Sequence, residues 1–164
     1  MDEFTQFLDA QRVGQVQPLH EVLRTASSWK RCGAAPFAVP PRRQWEAAAS
    51  TLRLLEQLKA RGILAKEAEI VSGYRPESLA TCAQSRESSA HTKSYAVDFL
   101  GSAQTANALC TFWKKEGRAL HMGLSKYDSG RIHIDTKQYR TWGSNCTCET
   151  SYCQPCARSS SKRC

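Results

Sequence analysis

Ser89-Ala90-His91-Thr92-Lys93-Ser94-Tyr95-Ala96-Val97-Asp98, joined further along by Arg131-Ile132-His133-Ile134-Asp135, is the part of this chain that decides its fold. Tyr95-Ala96-Val97-Asp98-Phe99-Leu100 reads as an apolar strand interrupted by one acid. A carboxylate in such a place is expensive to bury unless it is paired or bound to a cation, so Asp98 needs a partner. The second segment alternates, which sends Ile132 and Ile134 to one face and His133 to the other. Two adjacent strands with Asp98 and His133 on a shared face, and His91 at the end of the loop before the first strand, can converge on a single ion. Two imidazoles and a carboxylate are ligands of the hardness Zn²⁺ accepts, with a fourth position left for water.

Around this nucleus, residues 71–142 form the organising stretch, with Ser72, Gly73, Tyr74 and Arg75 upstream and Tyr139, Arg140, Thr141 and Trp142 downstream. Residues 1–15 read as a short helix or a loosely held arm. Between 18 and 31, Leu19, Val22, Leu23, Ala26 and Trp29 recur at helical steps, and Gly33 stands where a C-terminal cap would. Pro41 suits a first helical turn, and behind it Trp45, Ala48, Ala49, Leu52, Leu55 and Leu58 keep helical spacing to Arg61, with Gly62 closing the segment. A short strand is expected over 68–72, a helix start at 76–82, a serine-rich loop over 84–90 and a helix over 103–116. Strands over about 119–124 and 131–135 follow, with a turn at 125–130 between them. The order helix, helix, strand, strand, helix, strand, strand predicts an α+β domain, a small antiparallel sheet flanked by helices.

The 164 residues suffice for one domain with a proper core and not for two large ones. No apolar run approaches the roughly 20 residues that span a bilayer. The N-terminus opens acidic and lacks a basic region followed by an apolar block, so no secretory signal is expected in it. Lys and Arg number 23 against 15 Asp and Glu, and the net charge of +8 allows a polyanionic partner. The basic residues are scattered and no finger spacing is present, so nucleic acid is not the expected partner.

In order, Ser-Gly-Tyr-Arg, Ser-x-His-x6-Asp, His-Ile-Asp and Arg-x-Trp resemble the zinc D-alanyl-D-alanine carboxypeptidases and endopeptidases of bacterial cell walls. That family shares its fold with hedgehog-type and lysostaphin-type zinc peptidases. The resemblance runs over 39–143 and implies a hedgehog/DD-peptidase-like fold. It divides the chain into an N-terminal helical extension (1–38), a zinc peptidase domain (39–143) and a Cys-rich tail (144–164). It places His91, Asp98 and His133 on the three zinc-ligand positions. It also puts Arg75 where the family pairs a substrate carboxylate and Ser89 beside the substrate; Tyr74 joins them as a binding candidate because the strand ending at Gly73 delivers it to a sheet edge. Asp135 falls where it can orient a ligand, and Trp142 where it can close the core. The implied activity is hydrolysis of peptide bonds in peptidoglycan stem peptides, in the cell envelope or periplasm, or from a phage-type lysin. A non-catalytic, zinc-stabilised module that binds wall peptides is the alternative.

The chain also departs from that pattern. Relatives often carry glycine where Ser94 stands and asparagine where Ala80 stands. Several place a glutamate three residues before the last ligand, where this chain has Gly130, and others a histidine two before it, where it has Arg131. Amide hydrolysis needs a group that moves a proton to the leaving amine, and the remaining candidates are Asp128 and His121. In the tail, Cys146, Cys148, Cys153 and Cys156 supply four thiolates, enough for a second, structural Zn²⁺. Two disulfides, or free thiols on a mobile tail, are the other readings of the same cysteines.

Overall fold

A computed structural model describes residues 2–83, 89–143 and 150–153. The elements are α1 (Asp2–Ala10), α2 (Leu19–Val22), α3 (Trp45–Ala60), β1 (Ile70–Ser72), α4 (Glu77–Cys82), β2 (Ala96–Leu100), α5 (Ala103–Glu116), β3 (Gly123–Lys126), β4 (Arg131–Asp135) and β5 (Arg140–Trp142). The protein is α+β, with one five-stranded sheet in the order β1-β2-β4-β3-β5. Among the described residues no helix is long and apolar enough to cross a membrane.

The sheet is mixed rather than purely antiparallel, because β5 runs parallel to β3. The C-terminal end of β4 lies beside the start of β3, since those two strands are antiparallel. Residues 136–139 then carry the chain across the end of β3 alone. A strand entering from that end has to run the way β3 runs.

Alternation gives the sheet two unlike faces. Val97, Phe99, Leu124, Ile132 and Ile134 point into the core, where they meet Leu52, Leu55 and Leu58 of α3 and Leu109 and Trp113 of α5. The helices follow the expected spacing. Ser102 caps α5 by accepting from the Thr105 N–H at 3.1 Å, and Gly62 ends the α3 segment with φ +66°.

The first 38 residues belong to the same core, through Phe4, Leu8, Val13, Val22 and Leu23. The helix expected over 18–31 is only Leu19–Val22. Beyond it the chain leaves the helix and lies along the end of β1. Arg24 bridges to Phe37, the Thr25 N–H donates to the Pro36 carbonyl, and the Gly73 N–H donates to the Arg24 carbonyl at 2.7 Å. Val22, Leu23 and Ala26 are buried as their spacing demands, although from Thr25 onward the backbone trades helical hydrogen bonds for these. Gly73 permits the approach, for a Cβ there would stand 2.8 Å from the Val22 carbonyl oxygen. Glu21, also buried, accepts from the Ile70 N–H at 2.9 Å and from Gln17 at 2.6 Å, which ties α2 to the start of β1.

The strand expected over 119–124 begins later, at Gly123. Residues 117–122 are used to end α5: Met122 N–H returns to the Gly117 carbonyl, and His121 takes φ +50°. Two disulfides join described cysteines, Cys32 to Cys82 and Cys110 to Cys153.

Candidate metal centre

One row of paired residues crosses the whole sheet: Ser72, Asp98, His133, Ser125 and Trp142, from β1 to β5. Cross-strand partners share a face, so this row and its neighbours make the polar side of the sheet. Ser72 donates to the Thr25 carbonyl and Ser125 to the Trp142 carbonyl, so the flanking hydroxyls are satisfied within the fold. Asp98 and His133 remain at the centre of the row.

His91 reaches them from above, on the short 3-10 turn Ala90–Lys93. The turn ends at Ser94 in the left-handed region, φ +62°, which is the conformation glycine adopts most readily. Ser94 is held there by a 2.8 Å hydrogen bond from its hydroxyl to Gln44 Oε1, while Gln44 Nε2 donates to the Thr92 carbonyl at 3.2 Å. Serine therefore holds a conformation suited to glycine at an intrinsic cost of roughly 1–2 kcal/mol, offset by a side-chain bond that glycine would lack.

Three atoms converge. His91 Nε2 lies 3.2 Å from Asp98 Oδ1 and 3.1 Å from His133 Nδ1, and His133 Nδ1 lies 3.0 Å from Asp98 Oδ1. All three residues are 3 % exposed. The outer nitrogens fix the tautomers: His91 Nδ1 stands 2.8 Å from the Gly73 carbonyl oxygen, and His133 Nε2 stands 2.9 Å from Asp135 Oδ2. Each of those nitrogens carries a hydrogen to donate outward, so each inner nitrogen presents a lone pair. Two lone pairs and a carboxylate oxygen in mutual contact call for a cation between them. Ligand atoms around a tetrahedral Zn²⁺ with bonds of about 2.0–2.2 Å stand roughly 3.3–3.6 Å apart, and the edges of this triangle fall a few tenths of an ångström inside that spacing.

Burial and mutual contact shift all three groups. Burial works to raise the Asp98 carboxyl, but the two imidazoles outweigh it and hold the group well below the usual carboxylate range. Burial lowers His91, against the pull of Asp98. At His133 burial also acts to lower the value, yet hydrogen bonds to Asp135 and Asp98 leave it raised. The wholly buried Asp135 is anchored in turn by Arg140, Nη2 to Oδ2 at 2.7 Å and Nη1 to Oδ1 at 3.0 Å, and by the Lys137 N–H at 2.9 Å.

The expected substrate residues are unequally close to this centre. Arg75 is largely enclosed beside it: its N–H donates to the His91 carbonyl and its Nη2 to Ser72 Oγ at 3.3 Å. Burial lowers the guanidinium from its ordinary value while Asp98 works to raise it. Tyr74 is half-buried in a small cavity with Gly73, Ser94, Ala96 and Val97. Ser89 precedes the His91 turn, and its carbonyl accepts from the Thr92 hydroxyl at 2.8 Å. Asp128 is exposed in the β3–β4 turn, and His121 is exposed before β3, four residues ahead of the central row. The triad's hydrogen bonds and ring contacts involve neither.

Trp142 was expected to close the core. It is buried, but on the polar face, where its ring meets that of His133 edge-on at 5.0 Å. The four-cysteine zinc site does not form, since Cys153 is bonded to Cys110; Cys146, Cys148 and Cys156 lie outside the described residues.

Three contributors went unassigned in the sequence. Gly73 and Gly123 act through backbone and empty space, which residue type alone does not announce. Tyr127 was placed in a turn. Extending the β3 alternation two residues past Ser125 would have put it on the face of His133, and their rings do meet, at 6.5 Å and 89°. Burial pushes its phenol up to about 12, with Asp98 adding to the rise and a hydrogen bond from the Trp142 side chain opposing it. In comparisons with known proteins, no family model, no curated protein and no solved structure matches this chain.

Proposed function

We propose that the protein is a zinc-dependent peptidase that hydrolyses peptide bonds of peptidoglycan stem peptides, of the D-Ala-D-Ala carboxypeptidase or endopeptidase type, on a hedgehog/DD-peptidase-like fold. The observation that carries this reading is the inward triangle of His91 Nε2, Asp98 Oδ1 and His133 Nδ1, with both imidazoles oriented from outside. Three protein ligands and an open position are the donor set of a catalytic zinc, whereas structural zinc takes four. Bound there, the ion would polarise a carbonyl and acidify water to a pKa of about 7.

The chain's own residues supply the rest. Arg75 offers a planar, two-pronged donor to a substrate carboxylate, and burial strengthens that pairing. Asp135 and the Gly73 carbonyl keep the imidazoles turned inward. The disulfides suit an oxidising compartment, which agrees with work in the cell envelope or periplasm, or with a phage-type lysin. Metal content measured together with the products of a muropeptide digest tests the reading. One zinc per chain with no cleavage, and no difference between wild type and His133→Ala, would defeat it.

The exposure of Asp128 and His121, away from the triad, favours one other reading: a zinc-stabilised module that binds wall peptides without cutting them. Peptide hydrolysis that disappears in Asp98→Ala would exclude it.

A further inference from the structure

We infer that Tyr127 is a catalytic residue of this site, the hydrogen-bond donor to the carbonyl oxygen of the scissile amide as that oxygen gains negative charge. The inference rests on the peptidase reading above.

Register gives the position. Tyr127 N–H donates to the Arg131 carbonyl at 2.8 Å, continuing the β3–β4 ladder one pair beyond Lys126 and Ile132. By alternation its side chain shares the polar face with Ser125 and His133. The phenol ring meets the edge of His133, and the Arg131 guanidinium lies 5.9 Å from the ring centre. Arg131 is itself held by Ser129 Oγ at 3.3 Å and Ser27 Oγ at 3.5 Å. The ring is thus fixed between an imidazole of the triad and a tethered cation.

The Trp142 N–H interacts with the phenol oxygen, and a phenol that accepts still has its own hydrogen to give. Asp98, Arg75 and Arg131 are the charged groups whose fields reach the phenol.

The chemistry asks for a donor at that point. Water oxygen bonds to the carbonyl carbon, and the π pair moves onto the carbonyl oxygen. On collapse the C–N pair leaves with nitrogen, which takes up the proton that water released. Tyr127 keeps its proton throughout and stabilises the oxyanion, a contribution worth about 10²–10³ in kcat for one such donor.

The test is Tyr127→Phe in the zinc-loaded full chain, because phenylalanine retains the ring contacts. The expected result is kcat lower by about 10²–10³ with KM nearly unchanged. Affinity for a phosphinate analogue of D-alanyl-D-alanine, read by calorimetry, should fall at least tenfold, while zinc affinity and product binding stay as in wild type. A Y127F protein that cleaves, or binds the phosphinate, like wild type overturns the inference. So does one that loses zinc, since the ring would then serve only to hold His133. Wild-type protein that binds zinc but neither cleaves nor takes the phosphinate overturns the peptidase reading and this inference together.

Discussion

Asp135 and Arg140 meet in a two-pronged ion pair with no exposed carboxylate, directly over the position where Gly123 has no side chain. A Cβ on Gly123 would collide with both Asp135 oxygens. Gly123→Ala should therefore push the carboxylate off His133 Nε2. We expect a loss of about 1–3 kcal/mol in stability, read by denaturant unfolding, with weaker zinc binding in the protein that remains folded.

Outer contacts of a metal ligand can be separated from the ligand itself. Asp135→Asn keeps the shape but gives up the charge that orients His133, and zinc affinity should drop by about 10–100-fold in a chelator competition. Asp98→Ala should remove measurable binding in the same assay. Equal effects from the two variants would contradict the assigned roles.

Zinc should also be a folding ligand. At a free concentration a hundredfold above Kd it adds about 2.7 kcal/mol to stability. For a chain of this size that is a rise of roughly 5–10 °C in Tm, reversed by a chelator. A Tm indifferent to chelator and to added zinc would count against the site.

The bond between Cys110 and Cys153 closes a loop of 43 residues. Peptide mapping without reduction should recover those two cysteines in one cross-linked species, and Cys32 with Cys82 in another. Paired replacement of Cys110 and Cys153 by serine should cost about 2–4 kcal/mol in stability.

Much of this was legible in the chain, and for physical reasons. Alternation fixed the face of His133, and the price of burying Asp98 identified it as a partnered acid. The three-and-four spacing of α3 and α5 was equally direct, since a helix that packs on a sheet must keep one apolar stripe. What stayed hidden depended on relations between distant segments. Arg140–Trp142 is too short to show alternation, and its parallel course follows from where β4 ends. The apolar spacing at 19, 22, 23 and 26 starts in α2 but ends off the helix, because the Thr25 N–H and the Arg24 carbonyl find their partners on Pro36 and Gly73. Cysteine spacing carried no connectivity, so Cys153 could not be assigned to Cys110.

The contact of Arg24 and Val22 with Gly73 bears on what counts as the working unit of this protein. The Gly73 carbonyl seats His91, and Gly73 is itself seated by the segment that follows α2. Trimming the chain to begin at Val39 would strip Phe4, Leu8, Val13, Val22 and Leu23 from the core and leave that carbonyl without its backing. The smallest fragment able to keep the candidate metal centre in shape thus reaches back to α1, and any attempt to graft or shorten the protein has to carry its first forty residues along.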